Sequence, residues 1–348
     1  MRTISTMGSS NVTTTNTRTT VTLSIPHEDN KQQHHKSSTS SPPTFLTRSN
    51  SIVLLLAETW QQKLSYSVIG LLAGLAICVF AVSFPLWLFP AAATKTYLPA
   101  SYVYVDPFHS FDNTIWTYGT DYAIAVAMMI QIAKFPPTTP NNAKHNWRSK
   151  GLLWSYAISV LVGGFCHQFY THMELRNTWH FRLLWPLCVG SVSAGVFFLG
   201  AIASELVVQD EVLGVAFLPA LPAWVWAGAG TTTTLATAAG FFSYQRPACD
   251  IFVAGVAQSI PTFYLMINLA IGLPTFASLD TWTRYRGLVA FIMMSATLPT
   301  YPLAVQYTNW SLGTVNALLH AWLTVAWSAQ GITLRRIAQA LALQDDAK

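Results

Sequence analysis

Charge is what this sequence has least of. Asp, Glu, Lys and Arg make up 9% of its 348 residues, against about 25% in soluble domains. A chain this long with so few charges cannot cover a water-facing surface, which excludes an ordinary soluble enzyme and a protein disordered throughout. A nucleic-acid binder is excluded as well. The pI is near 9.0, but the net charge of +5 is spread over loops and tails and makes no basic face for phosphates. Cysteine is scarce: Cys78, Cys166, Cys188 and Cys249 stand far apart with no CxxC pair. Neither a disulfide framework nor a thiolate metal site follows from that spacing. No P-loop, GxSxG or HExxH occurs. The one lysine within the apolar runs, Lys134, stands at the very end of its run, so none lies at the depth where retinal is held as a Schiff base.

Apolar sequence is what remains. Hydrophobic residues make up 52% of the chain and mean hydropathy is +0.37. Crossing a hydrocarbon core of ~30 Å takes roughly 20 apolar residues as a helix. Eight runs approach that length: 67–90, 115–135, 152–170, 181–204, 212–230, 250–272, 286–305 and 310–332. The fifth is the least regular, holding Pro219 and Pro222 and passing into a Thr- and Ala-rich continuation to Phe242. Strand-type alternation is absent, so the expected fold is an all-α polytopic transmembrane helical bundle of about eight spans, one plus a seven-helix unit. Residues 1–62 are Ser-, Thr- and Asn-rich and are expected to be a disordered tail. Arg2 and Arg18 precede its first acid, Glu28, a pattern shared by cytosolic tails and organelle transit peptides. Residues 63–335 form the expected membrane domain and 336–348 a short cytosolic tail. With eight spans, Arg48, Lys63, Lys134, Lys144, Arg148, Lys150, Arg284, Arg286, Arg335 and Arg336 fall on one side. They outweigh Lys95, Arg176, Arg182 and Arg246 on the other, which puts both termini in the cytosol.

Ionisable residues inside such runs are costly and mark candidate sites. Asp121 ends the segment Trp116-Thr-Tyr-Gly-Thr-Asp121. Starting the helix beyond it would leave a span of about 21 Å, too short to cross. His167 follows Gly163 and Gly164, which let a neighbouring helix come close. Asn316, His320 and Thr324 are spaced four apart and share a helix face. Asp250 heads the sixth run in a capping position, with Gln258 two turns later. Glu205 closes the fourth run where water is expected. Asp121, His167, Asp250, Asn316 and His320 sit on four helices, and the eight-span arrangement places all of them at mid-depth or in the non-cytosolic half. One polar pocket is the expectation. It suits zinc, metal-free acid–base work, a proton relay, or a lipid head group.

A His in the second helix of the seven-helix unit and another in its last make the chain resemble the CREST superfamily of membrane hydrolases. That superfamily includes the alkaline ceramidases and the progestin and adipoQ receptors. The resemblance covers about residues 110–335 and is carried by Trp116–Asp121, Gly163-Gly164-Phe-Cys-His167 and Asn316-Ala-Leu-Leu-His320. It implies a metal-dependent lipid amide or ester hydrolase centred on Asp121, His167 and His320. It also implies zinc on His167 and His320, membrane lipid as partner and Asn316 in support. Three departures stand against it. Gly163 takes the place of the superfamily's Ser, Asn316 that of its first His, and no Asp occupies 181–204. A non-enzymatic lipid-binding receptor and a small-solute or proton-coupled transporter use the same pocket.

Overall fold

The apolar runs are helical because a helix satisfies every backbone N–H and C=O within its own segment, which a chain facing hydrocarbon requires. The computed structural model describes residues 59–88, 113–176, 178–212, 221–238, 250–271, 279–307 and 310–343. All of them lie in the unit Phe45–Lys348. Among them there is no strand. In chain order the helices are α1 Trp60–Leu88, α2 Ile115–Ala133, α3 Ala143–Phe169 and the short α4 Met173–Arg176. There follow α5 Trp179–Ser193, α6 Gly195–Val212, α7 Ala223–Ala238, α8 Asp250–Ile271, α9 Thr281–Tyr307 and α10 Leu312–Leu343. Among the described residues three stretches are long and apolar enough to cross a membrane: Trp60–Ala81, Ala143–Phe169, and Trp179–Val207, which joins α5 to α6. Their outward faces are apolar, with Leu72 and Leu183 63% and 62% exposed.

The helices depart from the expected runs in instructive ways. Residues 1–58, most of the expected tail, lie outside the described residues, and α1 begins at Trp60 within the tail's predicted limit. The third helix begins at Ala143, well before 152, and takes in Lys144, Arg148 and Lys150. Hydropathy ended the run at the first charges, but the charges are accommodated. Arg148 reaches the Glu205 carboxylate at 2.9 Å and the Ala201 carbonyl at 2.9 Å. Glu205 is therefore ion-paired and 12% exposed at its side chain, contrary to the expectation of a water contact. The fourth run breaks at Ala194 into α5 and α6. The helix of the fifth run, α7, starts after Pro222, late in that run, and carries on through the Thr- and Ala-rich continuation as far as Ala238. α10 runs on to Leu343 because Ile337, Ala338 and Leu341 bury an apolar stripe, where a tail from 336 was expected.

Contacts pass round a circuit: α2 to α3, α3 to α5 and α6, these to α8, then α9, α10 and back to α2. The shared core holds Tyr156, Leu199, Ile202, Phe291 and Leu334. α7 packs on α5 and α6, and α1 lies chiefly against α7. That last contact depends on glycine. Gly70 and Gly74 form a GxxxG pair, the spacing that lets helix backbones touch in a membrane. A Cβ at Gly70 would run into the Val225 carbonyl, one at Gly228 into the Ser67 carbonyl, and one at Gly74 would come within 2.8 Å of the Ala229 carbonyl oxygen. Gly70→Leu is expected to lower stability by about 2 kcal/mol, the scale of overpacking, in a thermal unfolding assay of the detergent-purified protein. Glu205→Gln is expected to cost roughly 3 kcal/mol in the same assay, because it leaves the Arg148 charge with neutral acceptors alone.

Candidate functional site

Asp121 lies in the second turn of α2, on the side that faces α3. It is 3% exposed. Glycine on α3 makes that position available. A Cβ at Gly164 would stand 3.0 Å from both the Asp121 Cβ and the Tyr122 ring, and 3.2 Å from the Tyr118 carbonyl oxygen. One at Gly163 would stand 3.8 Å from an Asp121 carboxylate oxygen. Without side chains at these two positions, the α2 backbone settles directly onto α3. The Tyr122 hydroxyl then donates to Gln168 Oε1 at 2.7 Å and pins the contact.

From α10, His320 reaches the same carboxylate. Its Nε2 is 3.4 Å from Asp121 Oδ1, and its Nδ1 is 2.8 Å from Thr120 Oγ1. The Thr120 hydroxyl also lies within hydrogen-bond reach of the Trp116 carbonyl at 2.5 Å and the Thr117 carbonyl at 2.9 Å. Donor counting links these groups, since Thr120 has a single hydroxyl hydrogen. When it goes to a backbone carbonyl, His320 Nδ1 must donate to Thr120, and one further proton then lies between Nε2 and Asp121. When it turns to Nδ1, Nε2–H donates to an ionised Asp121. A rotation of one hydroxyl therefore accompanies gain or loss of a proton at the pair. Thr324, on the face of Asn316 and His320, bonds back to the His320 carbonyl at 2.7 Å and takes no part.

The pair opens onto a cavity of about 100 Å³ among α2, α3, α5, α8, α9 and α10. That volume holds several waters or one small polar group. Asp121, His167, Gln258 and His320 all line it, together with Ser159 and Cys188. Val160, Leu319, Leu323, Trp185 and Trp327 supply the apolar and aromatic wall, the mixture typical of a small-molecule site. Gln258 is held at both ends of its amide. Its Nε2 donates to the Val192 carbonyl beside the α5–α6 break, and its Oε1 accepts from the Tyr156 hydroxyl at 3.1 Å. Tyr156 in turn stacks on Trp327, ring centroids 4.1 Å apart and 7° from parallel. His167 stands edge-on to Trp185 at 6.0 Å.

Asn316 lies one turn from His320 on α10 and is buried, but it is not part of the cavity wall. Asp250 opens α8, and its side chain lies outside the described residues. Arg176 does work that its place in a loop concealed. It is 6% exposed and donates to the Tyr170 carbonyl at 2.8 Å, the Thr171 carbonyl at 2.9 Å and Asn113 Oδ1 at 3.2 Å. Asn113 donates onward to the His167 carbonyl. A cation at the C-terminal end of α3 suits the helix dipole, and it ties the lead into α2 to the turn that carries His167. Zinc fits less well. A zinc site takes about three protein donors on one ion, and among the described residues no three His, Cys, Asp or Glu side chains come together for that. Asp121 and His320 make a pair, and His167 lines the same cavity. Cys78, Cys166 and Cys188 are buried and form no disulfide.

No protein-family model matches this chain, and no curated protein or solved structure does.

The glycine geometry sets a paired test. Gly164→Ala is expected to lower thermal stability by about 1–3 kcal/mol, the scale of overpacking. Gly119→Ala, whose Cβ would meet nothing nearer than 3.8 Å, is expected to be neutral or to stabilise by up to about 1 kcal/mol, as alanine does over glycine in a helix.

Proposed function

We propose that this chain is a multipass membrane protein of about eight spans that binds a small polar solute in the Asp121–His320 cavity and couples its passage to a proton. The observation that carries this reading is the buried pair itself: a carboxylate 3% exposed, 3.4 Å from an imidazole whose other nitrogen is also engaged, on the wall of a cavity. Buried acid–histidine pairs inside helical bundles mark proton relays and ion pathways. Proton and solute then affect each other's affinity reciprocally. A solute that accepts hydrogen bonds favours the pair with its extra proton, and one that carries positive charge favours the pair without it. Both termini lie in the cytosol in this reading, by the distribution of basic residues. Lipid surrounds the apolar outer faces.

The second reading is the lipid amide or ester hydrolase of CREST-like design. It is favoured by one observation: Asp121, His167 and His320 line the same cavity. It needs His167 to close onto the pair and make a three-donor zinc set. A lipid-binding receptor without catalysis would occupy the cavity with a head group and leave the proton idle.

Reconstitution into vesicles with an internal pH-sensitive dye separates these readings. Under an imposed pH gradient the wild-type chain is expected to carry protons. Asp121→Asn and His320→Gln are each expected to reduce the flux at least tenfold while elution and thermal unfolding stay close to wild type. Wild-type flux in Asp121→Asn overturns the proposal. Elemental analysis of the purified protein gives the complementary result. Zinc near one ion per chain, lost in the His167→Ala, His320→Ala double variant, would put the hydrolase in its place.

A further inference from the structure

α3 presents one face to the bundle along its whole length. His145, Ser149, Leu152, Tyr156, Ser159, Gly163 and His167 recur every three or four residues and share that face. All but His167 are buried. The climb from His145 to His167 is about 33 Å at about 1.5 Å per residue, close to the ~30 Å of a hydrocarbon core. α10 lies against it in the opposite direction. His145 Nε2 is 3.1 Å from the Leu334 carbonyl oxygen, Tyr156 stacks on Trp327, and His167 and His320 share the cavity. Ser149 therefore falls level with Gln330.

The half of this seam away from the cavity has a donor shortage. His145 Nδ1, Gln330 Oε1, Gln131 Oε1, Asn146 Oδ1 and Ser149 Oγ are buried atoms with no hydrogen-bond partner. A ring nitrogen that faces a carbonyl must carry the hydrogen, so His145 Nε2 is the donor and Nδ1 is a bare acceptor. Both amide oxygens and the Asn146 oxygen are acceptors too, and Asn146 Nδ2 is already committed to Asn142 Oδ1 at 3.1 Å. Of these five only Ser149 has a proton to offer; toward the cavity the Trp327 indole N–H is a further buried group without a partner. Each such group left unsatisfied bears the full penalty of its lost hydration. Gln131 lies across Gly331, next to Gln330: a Cβ there would be 3.2 Å from Gln131 Cγ. Acceptors gathered this way call for a guest rich in donors, and water brings two per molecule.

At the middle of the seam the two halves meet on one group. The Tyr156 hydroxyl is 3.1 Å from Gln258 Oε1 on the cavity side and 3.4 Å from Met294 Sδ, which Gln330 Nε2 also approaches at 3.7 Å. We propose that water occupies a polar seam between α3 and α10, running from His145 past Ser149 and Gln330 to the Asp121–His320 cavity, with Tyr156 at the joint. The proposal rests on the proton-coupled reading for its purpose. The seam gives the pair a second route to solution, at the opposite end from His167.

Thiol accessibility tests the water directly. Ser149→Cys is nearly isosteric, and a hydrophilic methanethiosulfonate reagent reacts with a thiol that water can ionise. Labelling in excess of the parent chain is expected to be at least tenfold faster for Ser149→Cys than for Leu206→Cys, a fully buried core position away from the seam. Gln330→Cys serves the same purpose if the serine variant does not fold. Tyr156→Phe is expected to cut proton flux at least fivefold. Labelling of both seam positions no faster than Leu206→Cys overturns the seam, whatever the flux. Fast labelling together with wild-type flux in Asp121→Asn leaves the seam standing and removes the transport reading instead.

Discussion

The contact between Asp121 and His320 is where the rest of the structure converges. It joins the second turn of α2 to the first half of α10, so it closes the circuit of helix contacts at the point where the cavity opens. Two things make the contact possible. Gly163 and Gly164 bring the α2 backbone down onto α3, which turns a carboxylate away from the outer face and into the interior. Thr120, the residue before the acid, then takes the other nitrogen of the ring. A carboxylate buried without a partner would cost several kcal/mol. Here the imidazole stands beside it, and the threonine hydroxyl can turn between a backbone carbonyl and the ring as the proton count changes.

The apolar exterior imposes the same discipline on every other polar group. With Leu72, Leu183 and Val325 facing outward, polar side chains have only one another to turn to. Arg148 finds Glu205, Arg176 finds three oxygens at the end of α3, and Gln258 bridges α5 to Tyr156. Where partners run short, along the half of the α3–α10 face away from the cavity, the unpartnered atoms are four acceptors and the Ser149 hydroxyl.

Much of this was readable in the chain. The helical class followed from the runs of apolar residues, and the interest of Asp121, His167 and His320 followed from the cost of placing ionisable groups inside them. The structure sets these three on one cavity with Gln258. Hydropathy misled wherever charge was satisfied locally. It cut α3 short at Lys150, because it does not register that Arg148 has Glu205 across the helix pair. It treated Glu205 as a surface acid for the same reason. His145 went unnoticed because it sits among lysines, asparagines and an arginine, which read as a loop. Yet its spacing from Ser149, Leu152 and Tyr156 was a helical face in plain view. Arg176 gave no signal at all, since its partners are backbone carbonyls brought together only by the turn after α3.

The central claim is that Asp121 and His320 hold and release a proton as one unit. Nitrogen-15 NMR of the His320 ring in bilayers, followed across pH beside the carbon-13 signal of the Asp121 carboxyl, tests it most directly. The account predicts one shared transition reported by both signals, as coupled groups show, and its loss or displacement at the ring in Asp121→Asn. A ring that keeps a single tautomer across the whole range and is indifferent to Asp121→Asn would contradict it.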